Sequence, residues 1–308
     1  MNKPTCLYLG PAGSFCHQAA LRLEEEFELQ PAASVAEIVG AVESGVAEFG
    51  LVPIENSVDG EVTSTVDSIV FNTVDVLVRD EVVVPVEFDV FVKPETTTIA
   101  RVMSHPVALA QCENYISNNQ LSRESAPSTS AAVQAVADGN ATDVGALASP
   151  IAGELYGLVP LAKGVQDNEG AHTKFYLLGK SIHSRKPGRE YRTWVTVIPP
   201  TNRTGILGDM LAEFSSRGIS LTSLSSRPLR AEIGAYAFNF TVEGYIGDAP
   251  VREALEAIIS LGSRVRVVGS FPEWEGEGVV GAVIGLVGLG AGAKQSFANN
   301  DLDVKVGD

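Results

Sequence analysis

Residues that bind metals or form disulfides are scarce in this sequence. It has three cysteines and four histidines among 308 residues. Cys6, Cys16 and Cys112 are odd in number, and no two of them have the spacing of a metal-binding pair. This favours a reducing compartment over a disulfide framework, and we interpret the three cysteines as small core residues. Because the histidines are scattered along the chain, we expect no metal site.

Positive charge and long apolar segments are also scarce. The 22 basic residues face 38 acidic ones, and the formal net charge of −16 disfavours binding to nucleic acids and anionic membranes. The apolar run at residues 6–9 is too short for a secretory signal. A second run, Val279–Ala293, has 15 residues and several glycines, against the roughly 20 apolar residues that span a bilayer. We therefore expect a cytoplasmic protein without nucleic-acid or membrane partners.

Motifs for nucleotides and activated nucleophiles are missing as well. The sequence contains no Walker A motif, no His-Glu-x-x-His and no nucleophile elbow. Gly10-Pro11-Ala12-Gly13 resembles a phosphate-binding loop only loosely, because Pro11 has no N–H to donate. The sequence therefore predicts a protein that works without a nucleotide.

A repeated strand–loop–helix order runs through residues 1–180. It predicts parallel-rich sheets with flanking helices, the arrangement of an α/β fold. Residues 74–93 break the rhythm and are typical of extended chain that passes between two lobes. We predict a two-lobed region like that of periplasmic binding proteins, with lobe 1 at about 1–80 and 160–180 and lobe 2 at about 81–159. The cleft between such lobes is the expected ligand site.

Apolar periodicity also gives the bounds of individual helices. The spacing of Ala19, Leu23 and Phe27 predicts one helix over Phe15–Phe27. A second helix is predicted over Val107–Ile116, after a Ser-His-Pro turn.

The C-terminal part of the chain has a different pattern. A polar linker at 181–190 leads to a segment whose periodicity gives the order βαββαβ over 191–272, the ferredoxin-like motif. The remaining segment, 273–308, is rich in glycine near its centre, and we predict a flexible tail there.

Five short blocks of sequence resemble, in the same order, those of the prephenate dehydratase family. They are Tyr8–Phe15, Val52–Ser57, Ser104–Cys112, Ser128–Ala132 and His172–Phe175. Pro-Ile-Glu-Asn-Ser in the second block is the most specific of them alone. In the last block Lys174 stands where the family has arginine, which keeps the charge but loses the planar fork. The unit at 191–272 is similar to an ACT domain.

The resemblance implies an activity and a substrate. The family converts prephenate to phenylpyruvate, with loss of carbon dioxide and water, in phenylalanine biosynthesis. Because the substrate ring becomes aromatic, the reaction needs no cofactor, and the resemblance implies none. The protein has to hold two carboxylates, assist the departing ring hydroxyl and exclude water. We therefore expect a carbon–oxygen lyase.

The resemblance also implies residue roles. Thr173, Asn56 and Gln111 are the expected catalytic residues. The Thr173 hydroxyl is expected to act through a hydrogen bond to the leaving oxygen or through a water relay. The expected substrate-binding residues are Ser57, Ser104, Ser130, Lys174 and Phe175. For Lys174 two interpretations stay open. Strand alternation turns it away from Thr173, which favours bracing of the neighbouring lobe, whereas its charge favours contact with the substrate. We interpret His17 and His105 as structural or capping residues.

Regulation is expected in the ACT-like unit. The residues at the family's effector positions are Gly205, Ile206, Leu207, Ser226, Arg227 and Pro228. The resemblance implies phenylalanine as the effector and a homo-oligomer, a dimer or tetramer, formed through ACT domains. Two alternatives stay open: an arogenate dehydratase, which acts on the aminated analogue, and a non-catalytic two-lobed amino-acid sensor.

Overall fold

The computed structural model describes residues 3–229 and 235–276. The first lobe alternates strands and helices. Its elements are β1 (Thr5–Leu9), α1 (Phe15–Leu21), β2 (Glu28–Ala32), α2 (Val35–Ser44), β3 (Phe49–Asn56), β4 (Gly60–Glu61), α3 (Thr63–Asn72) and β5 (Leu77–Pro85). The chain returns to this lobe with β11 (His172–Gly179). β1 is parallel to β2 and β3, whereas β11 is antiparallel to β3 and β5, so the sheet is mixed.

The second lobe has its own five-stranded sheet, in the order β10-β6-β9-β7-β8. Its elements are β6 (Asp89–Val92), β7 (Arg101–Ser104), α4 (Pro106–Ala110), α5 (Glu113–Asn118), β8 (Ser122–Ser125), α6 (Thr129–Asp138), β9 (Val144–Ala148), α7 (Pro150–Leu155) and β10 (Val159–Ala162). β7 is parallel to β8 and β9, and β6 is antiparallel to β9 and β10. The chain crosses between the lobes after β5 and again before β11. The predicted two-lobed α/β fold is confirmed.

The C-terminal unit is ferredoxin-like, as predicted. Its elements are β12 (Tyr191–Ile198), α8 (Ile206–Ser215), β13 (Leu221–Pro228), β14 (Tyr236–Glu243), α9 (Ala249–Ser260) and β15 (Arg264–Pro272). Its strands have the order β13-β14-β12-β15, and β15 continues the sheet onto β5 of the first lobe. The junction is a single bridge between Gly269 and Val78. A Cβ on Gly269 would lie 2.4 Å from the Val78 carbonyl oxygen, so only glycine permits this close approach.

The central strand β3 is buried on both faces of the first sheet. Leu51 packs against α1 and the aromatic ring of Tyr8, whereas the next residue, Val52, packs against α2 and α3. This second core also contains Trp194 and Phe271 from the C-terminal unit. Because one apolar core is shared by the two units, the C-terminal sheet continues the first lobe in packing as well as in hydrogen bonding.

Two helices differ from the sequence prediction. α1 ends at Leu21 and is followed by turns, not by a helix to Phe27. The segment predicted as one helix over Val107–Ile116 is two helices that meet at Gln111. The Gln111 carbonyl accepts a hydrogen bond of 2.7 Å from the backbone N–H of Asp167, a residue distant in sequence. This tertiary contact competes with the helical ladder and explains the break.

The predicted flexible tail lies mostly outside the described residues. At its start, Trp274 packs against the core around Phe27 and lies 5.8 Å from the Arg22 guanidinium. Within 3–229 and 235–276, no helix is long and apolar enough to cross a membrane. The three cysteines are free, and burial raises the pKa of each thiol to about 12. They therefore remain protonated and unreactive at neutral pH.

Candidate active site

A cavity of about 330 Å³ lies between the two lobes. Its walls combine apolar and polar side chains from both lobes. The lining residues are Phe15, Asn56, Asp59, Val86, Phe88, His105, Val107, Ala108, Gln111, Pro127, Ser128, Thr129 and Thr173. All three residues expected to be catalytic are among them. The volume and the mixture of apolar walls with few polar groups are typical of a small-molecule site.

The Thr173 hydroxyl is held by one specific contact. Thr173 is the second residue of β11 and pairs with Asn56 at the end of β3. The Asn56 Nδ2 group donates a hydrogen bond of 3.0 Å to Thr173 Oγ1. Only 8% of Thr173 is exposed. The two residues are distant in sequence, so the strand pairing brings them together.

The orientation of the Asn56 amide follows from its other contacts. Its Oδ1 atom accepts hydrogen bonds from the backbone N–H groups of Val58 and Asp59, at 2.8 and 3.1 Å. Because backbone N–H groups only donate, Oδ1 has to face them, and Nδ2 has to face Thr173. The threonine oxygen therefore accepts from Asn56, and its own hydrogen is left free to donate into the cavity.

Two contacts join the lobes across the cavity. The Gln111 Nε2 group donates to Asp59 Oδ2 at 3.4 Å. The rings of Phe15 and Phe88 meet edge to face, with centroids 5.3 Å apart. Gln111 reaches the cavity because the helix break lies at this residue. Asp59, Phe15 and Phe88 are not among the predicted site residues, because their position against the opposite lobe is what marks them.

Positive charge is absent from the described lining of the cavity, where Asp59 is the charged residue. The cavity instead has hydrogen-bond donors that can hold an anion. α6 begins at Thr129, and the Ser128 hydroxyl caps it by accepting from the N–H of Ala131 at 3.0 Å. The remaining free N–H groups of this first turn and the helix dipole favour an anion. His105 caps α4, with Nδ1 accepting from Val107 at 3.3 Å, so a neutral ring carries its hydrogen on Nε2.

Four of the five residues expected to bind substrate are buried or hydrogen-bonded within the fold. Ser57 Oγ accepts from the backbone N–H of His172 at 2.9 Å. Ser104 is fully buried and donates to the Leu147 carbonyl, whereas Ser130 is buried in α6 and its hydroxyl has no hydrogen-bond partner among the described residues. Phe175 is fully buried in the core. None of them is part of the described cavity lining, and substrate contact by them stays a prediction.

Lys174, the fifth, faces the other side of the sheet. It lines a small cavity between the catalytic lobe and the C-terminal unit, and its Nζ atom lies 3.0 Å from Glu55 Oε2. His17 also points away from the cleft, since its ring stacks on Tyr8 and Nδ1 accepts from the Gly13 N–H at 3.1 Å. Burial lowers the pKa of His17, and the Glu24 carboxylate opposes this in part.

The residues at the effector positions lie at the start of α8 and at the end of β13. Gly205 has a φ of 85° and precedes α8, whose first residue, Ile206, is buried in the core, and Leu207 is half-buried. Ser226 and Pro228 are exposed on β13. The Arg227 guanidinium turns to α3 of the same chain, where Nε and Nη2 bind the Asp67 carboxylate at 2.8 and 3.3 Å.

The fold and the cleft define a two-lobed α/β protein that takes a small molecule between its lobes, joined to a ferredoxin-like unit. The prephenate dehydratase profile matches residues 6–183, and the ACT domain profile matches residues 200–260. A prephenate dehydratase of Lactococcus lactis subsp. lactis is 35% identical over an alignment of 278 residues, which covers 88% of this chain and 99% of that protein. The chain belongs to the prephenate dehydratase family and carries an ACT domain.

Two solved structures share the fold of this chain. A prephenate dehydratase from Arthrobacter aurescens, in complex with L-Phe, is 29% identical and superposes with a TM-score of 0.79 over 87% of this chain and 90% of that one. GqqA, described as a novel type of quorum quenching acylase, is 25% identical with a TM-score of 0.80, over 88% of this chain and 98% of that one.

Proposed function

We propose that this protein binds prephenate in the cleft between its lobes and converts it to phenylpyruvate, carbon dioxide and water. The observation that carries the proposal is the Thr173 hydroxyl, whose oxygen is held by Asn56 and whose hydrogen is free to donate into a cavity of about 330 Å³. Family membership supplies the reaction. On this assignment the protein is a carbon–oxygen lyase, and its free thiols agree with a cytoplasmic location.

The reaction requires a hydrogen-bond donor at the departing oxygen. The bond between the ring carbon and its carboxylate breaks, and its electron pair moves through the ring to expel the hydroxyl at the opposite ring carbon. The departing oxygen gains negative charge as the C–O bond breaks and leaves as water after taking up one proton. The Thr173 hydroxyl stabilises that charge by a hydrogen bond, because threonine is too weak an acid to transfer a full proton unaided. Water is the proton source in this scheme.

The substrate's two carboxylates require neutral donors in this cleft. The described lining has no lysine or arginine. We assign one carboxylate to the N-terminus of α6 with the Ser128 and Thr129 side chains, where backbone N–H groups and the helix dipole favour an anion. The ring would pack against the Phe15–Phe88 pair, which shields it from bulk water. A carboxylate that is about to leave as neutral carbon dioxide is better bound weakly than by a salt bridge, since ground-state binding does not accelerate the chemistry.

We infer that phenylalanine regulates the enzyme through the ACT domain. The Arthrobacter relative was crystallised with L-Phe, and two arginines of this ACT domain hold helix α3 of the catalytic lobe. Arg227 binds Asp67, and the Arg266 guanidinium caps the end of α3 through the carbonyls of Ile69, Val70 and Thr73 at 2.7–3.2 Å. The loop before α3 contains the N–H groups that orient Asn56. Helix α3 can therefore transmit a displacement of β13 to the active site.

Assembly through the ACT domains is part of the proposal. β13 lies at the end of the ten-stranded sheet, so one of its edges has no strand partner in the described chain. Leu224 on this strand is 44% exposed. An unpaired, partly apolar edge is a natural site for a second copy. We expect a dimer or a tetramer in sedimentation experiments.

The other candidate functions require different groups in the cleft. Arogenate differs from prephenate by an ammonium in place of the keto oxygen, and the Asp59 carboxylate in the cleft is the feature that favours it. An acylase needs an activated nucleophile, whereas the Thr173 oxygen accepts from an amide and the Ser128 oxygen accepts from a backbone N–H. A pure amino-acid sensor would bind ligand without turnover.

The test is a cofactor-free assay of the purified full chain. Prephenate and arogenate are supplied separately at neutral pH with a chelator, and phenylpyruvate and phenylalanine are measured against a protein-free blank. We expect phenylpyruvate from prephenate, inhibited by added phenylalanine. Preferential conversion of arogenate would favour the second dehydratase activity, and ligand binding without product would favour the sensor.

A further inference from the structure

Lys174 follows Thr173 directly in β11 but is absent from the described lining of the cleft. Successive residues of an extended strand face opposite sides of a sheet. Lys174 lines a cavity of about 60 Å³ on the other face, together with Glu55 and, from the ACT domain, Arg192. It is therefore one residue from the reaction centre but separated from it by the sheet.

The Lys174 ammonium bridges carboxylates on both strands that flank β11. Its Nζ atom lies 3.0 Å from Glu55 Oε2 on β3 and 3.9 Å from Glu81 Oε2 on β5. The Glu81 side chain is only 2% exposed, and Arg192 Nη1 lies 3.3 Å from both of its oxygens. A buried carboxylate needs such cationic partners because burial penalises an unpaired charge. Lys174 thus connects three adjacent strands.

This connection lies where the strand pairing is irregular. Lys174 pairs with Glu55 directly beside the Thr173–Asn56 pair. After Lys174 the register shifts by one residue, so that β3 has an extra, unpaired residue at this point. Backbone pairing alone defines the alignment poorly at such a bulge, and side-chain contacts across the strands fix it.

We propose that Lys174 is a positioning residue of the active site and not a substrate ligand. By holding Glu55 and Glu81 it fixes the alignment of β3 with β11, which keeps the Asn56 amide on the Thr173 hydroxyl. A lysine suits this role because its ammonium is a compact charge with three donors, which serves carboxylates in two directions. The proposal rests on the proposed function, since the reaction is what the alignment serves.

The kinetic test uses charge-removing and charge-keeping variants. In Lys174→Met we expect kcat to fall about 10- to 100-fold from misplacement of the donor, with KM for prephenate within about twofold of wild type. Lys174→Arg keeps the charge and restores most of kcat. Glu55→Gln reproduces part of the loss, and the double variant is no worse than Lys174→Met because the two side chains act as a unit. Arg123→Met, which breaks an exposed ion pair with Glu113 in lobe 2, is the control with wild-type kinetics.

Two kinetic results would overturn the proposal. A raised KM at unchanged kcat in Lys174→Met would mean that the ammonium binds substrate, and wild-type kinetics would mean that it does nothing for the site. If the wild-type chain does not convert prephenate, the proposed function fails, and hydrogen exchange decides the role of Lys174 separately. The Ser57 amide donates to the His172 carbonyl at 2.9 Å across this strand pair. It should exchange faster in Lys174→Met but not in Lys174→Arg, and unchanged exchange in both refutes the positioning role.

Discussion

Exchanging Asn56 for Asp replaces one amide nitrogen by an oxygen and reverses the hydrogen bond at the reaction centre. In the wild type, Nδ2 donates to Thr173 Oγ1 at 3.0 Å, and the hydroxyl hydrogen is free for the leaving group. A carboxylate only accepts, so in Asn56→Asp the threonine has to donate to it. The hydroxyl then points away from the substrate, although no atom has been lost from Thr173.

The expected loss has two parts. Removing one donor from a developing oxyanion costs about 10²–10³ in kcat, or about 2.7–4 kcal/mol. The added carboxylate also repels the dianionic substrate: at ~6 Å and an effective dielectric constant of ~20, two unit charges repel by about 3 kcal/mol, which raises KM. The fold should persist, because the second carboxylate oxygen keeps the contacts of Oδ1 with the N–H groups of Val58 and Asp59.

Asn56→Ala is the matched comparison. It removes the contact with Thr173 but leaves the hydroxyl free to turn towards substrate, so we expect it to be slower than wild type and faster than Asn56→Asp. Steady-state phenylpyruvate formation gives kcat and KM, and thermal unfolding checks the fold of both variants. If Asn56→Asp is as fast as Asn56→Ala, the direction of this hydrogen bond is irrelevant and the reasoning is wrong.

Three other predictions follow from the same structure. Gln111→Glu places its carboxylate against that of Asp59 across the cleft and should raise KM for prephenate. Adding Asp59→Asn should bring KM back towards the wild-type value. A double variant whose KM stays raised would mean that this contact between the lobes does not matter. Gly269→Ala should lower the free energy of unfolding by about 1–3 kcal/mol, because the new Cβ meets a β5 carbonyl oxygen at 2.4 Å. Gly40→Ala in α2, where a Cβ meets nothing within 4 Å, should raise it by up to about 1 kcal/mol. Equal melting temperatures of the two variants would contradict this prediction. The pKa of His17 is lowered in the folded state, so the unfolded chain binds more protons, and the stability present above pH ~6.5 is lost as the pH falls. In denaturant titrations between pH 7 and 5, the free energy of unfolding of His17→Asn should fall less steeply than that of the wild type. Parallel pH profiles of the two proteins would refute this prediction.

Sequence patterns predicted the fold class because the apolar periodicities were long and regular. They did not predict β2, whose Glu-Leu-Gln-Pro-Ala sequence has little apolar character and pairs only at the edge of the sheet. They also gave one helix where there are two, because the hydrogen bond from Asp167 that breaks it comes from a residue distant in sequence. Periodicity reports on local burial and contains no information about such tertiary contacts.

Only part of the candidate site was predicted, because the rest also depends on tertiary contacts. The motif blocks marked Thr173, Asn56 and Gln111, and the structure brings all three to one cavity. Strand alternation predicted that Lys174 faces away from Thr173, as it does. The pairing of Arg227 with Asp67 could not be predicted, since it depends on how the ACT domain is placed against α3.

The role of the Thr173 hydroxyl is tested most directly by comparing Thr173→Val with Thr173→Ser at saturating prephenate. Valine has nearly the same shape as threonine and fills a strand equally well, but it has no hydroxyl. We predict that Thr173→Val loses about 10² or more in kcat, while binding prephenate and unfolding like the wild type, and that Thr173→Ser keeps most of the activity. A Thr173→Val enzyme that turns over prephenate at the wild-type rate would show that Thr173 only fills the strand, and would contradict the account.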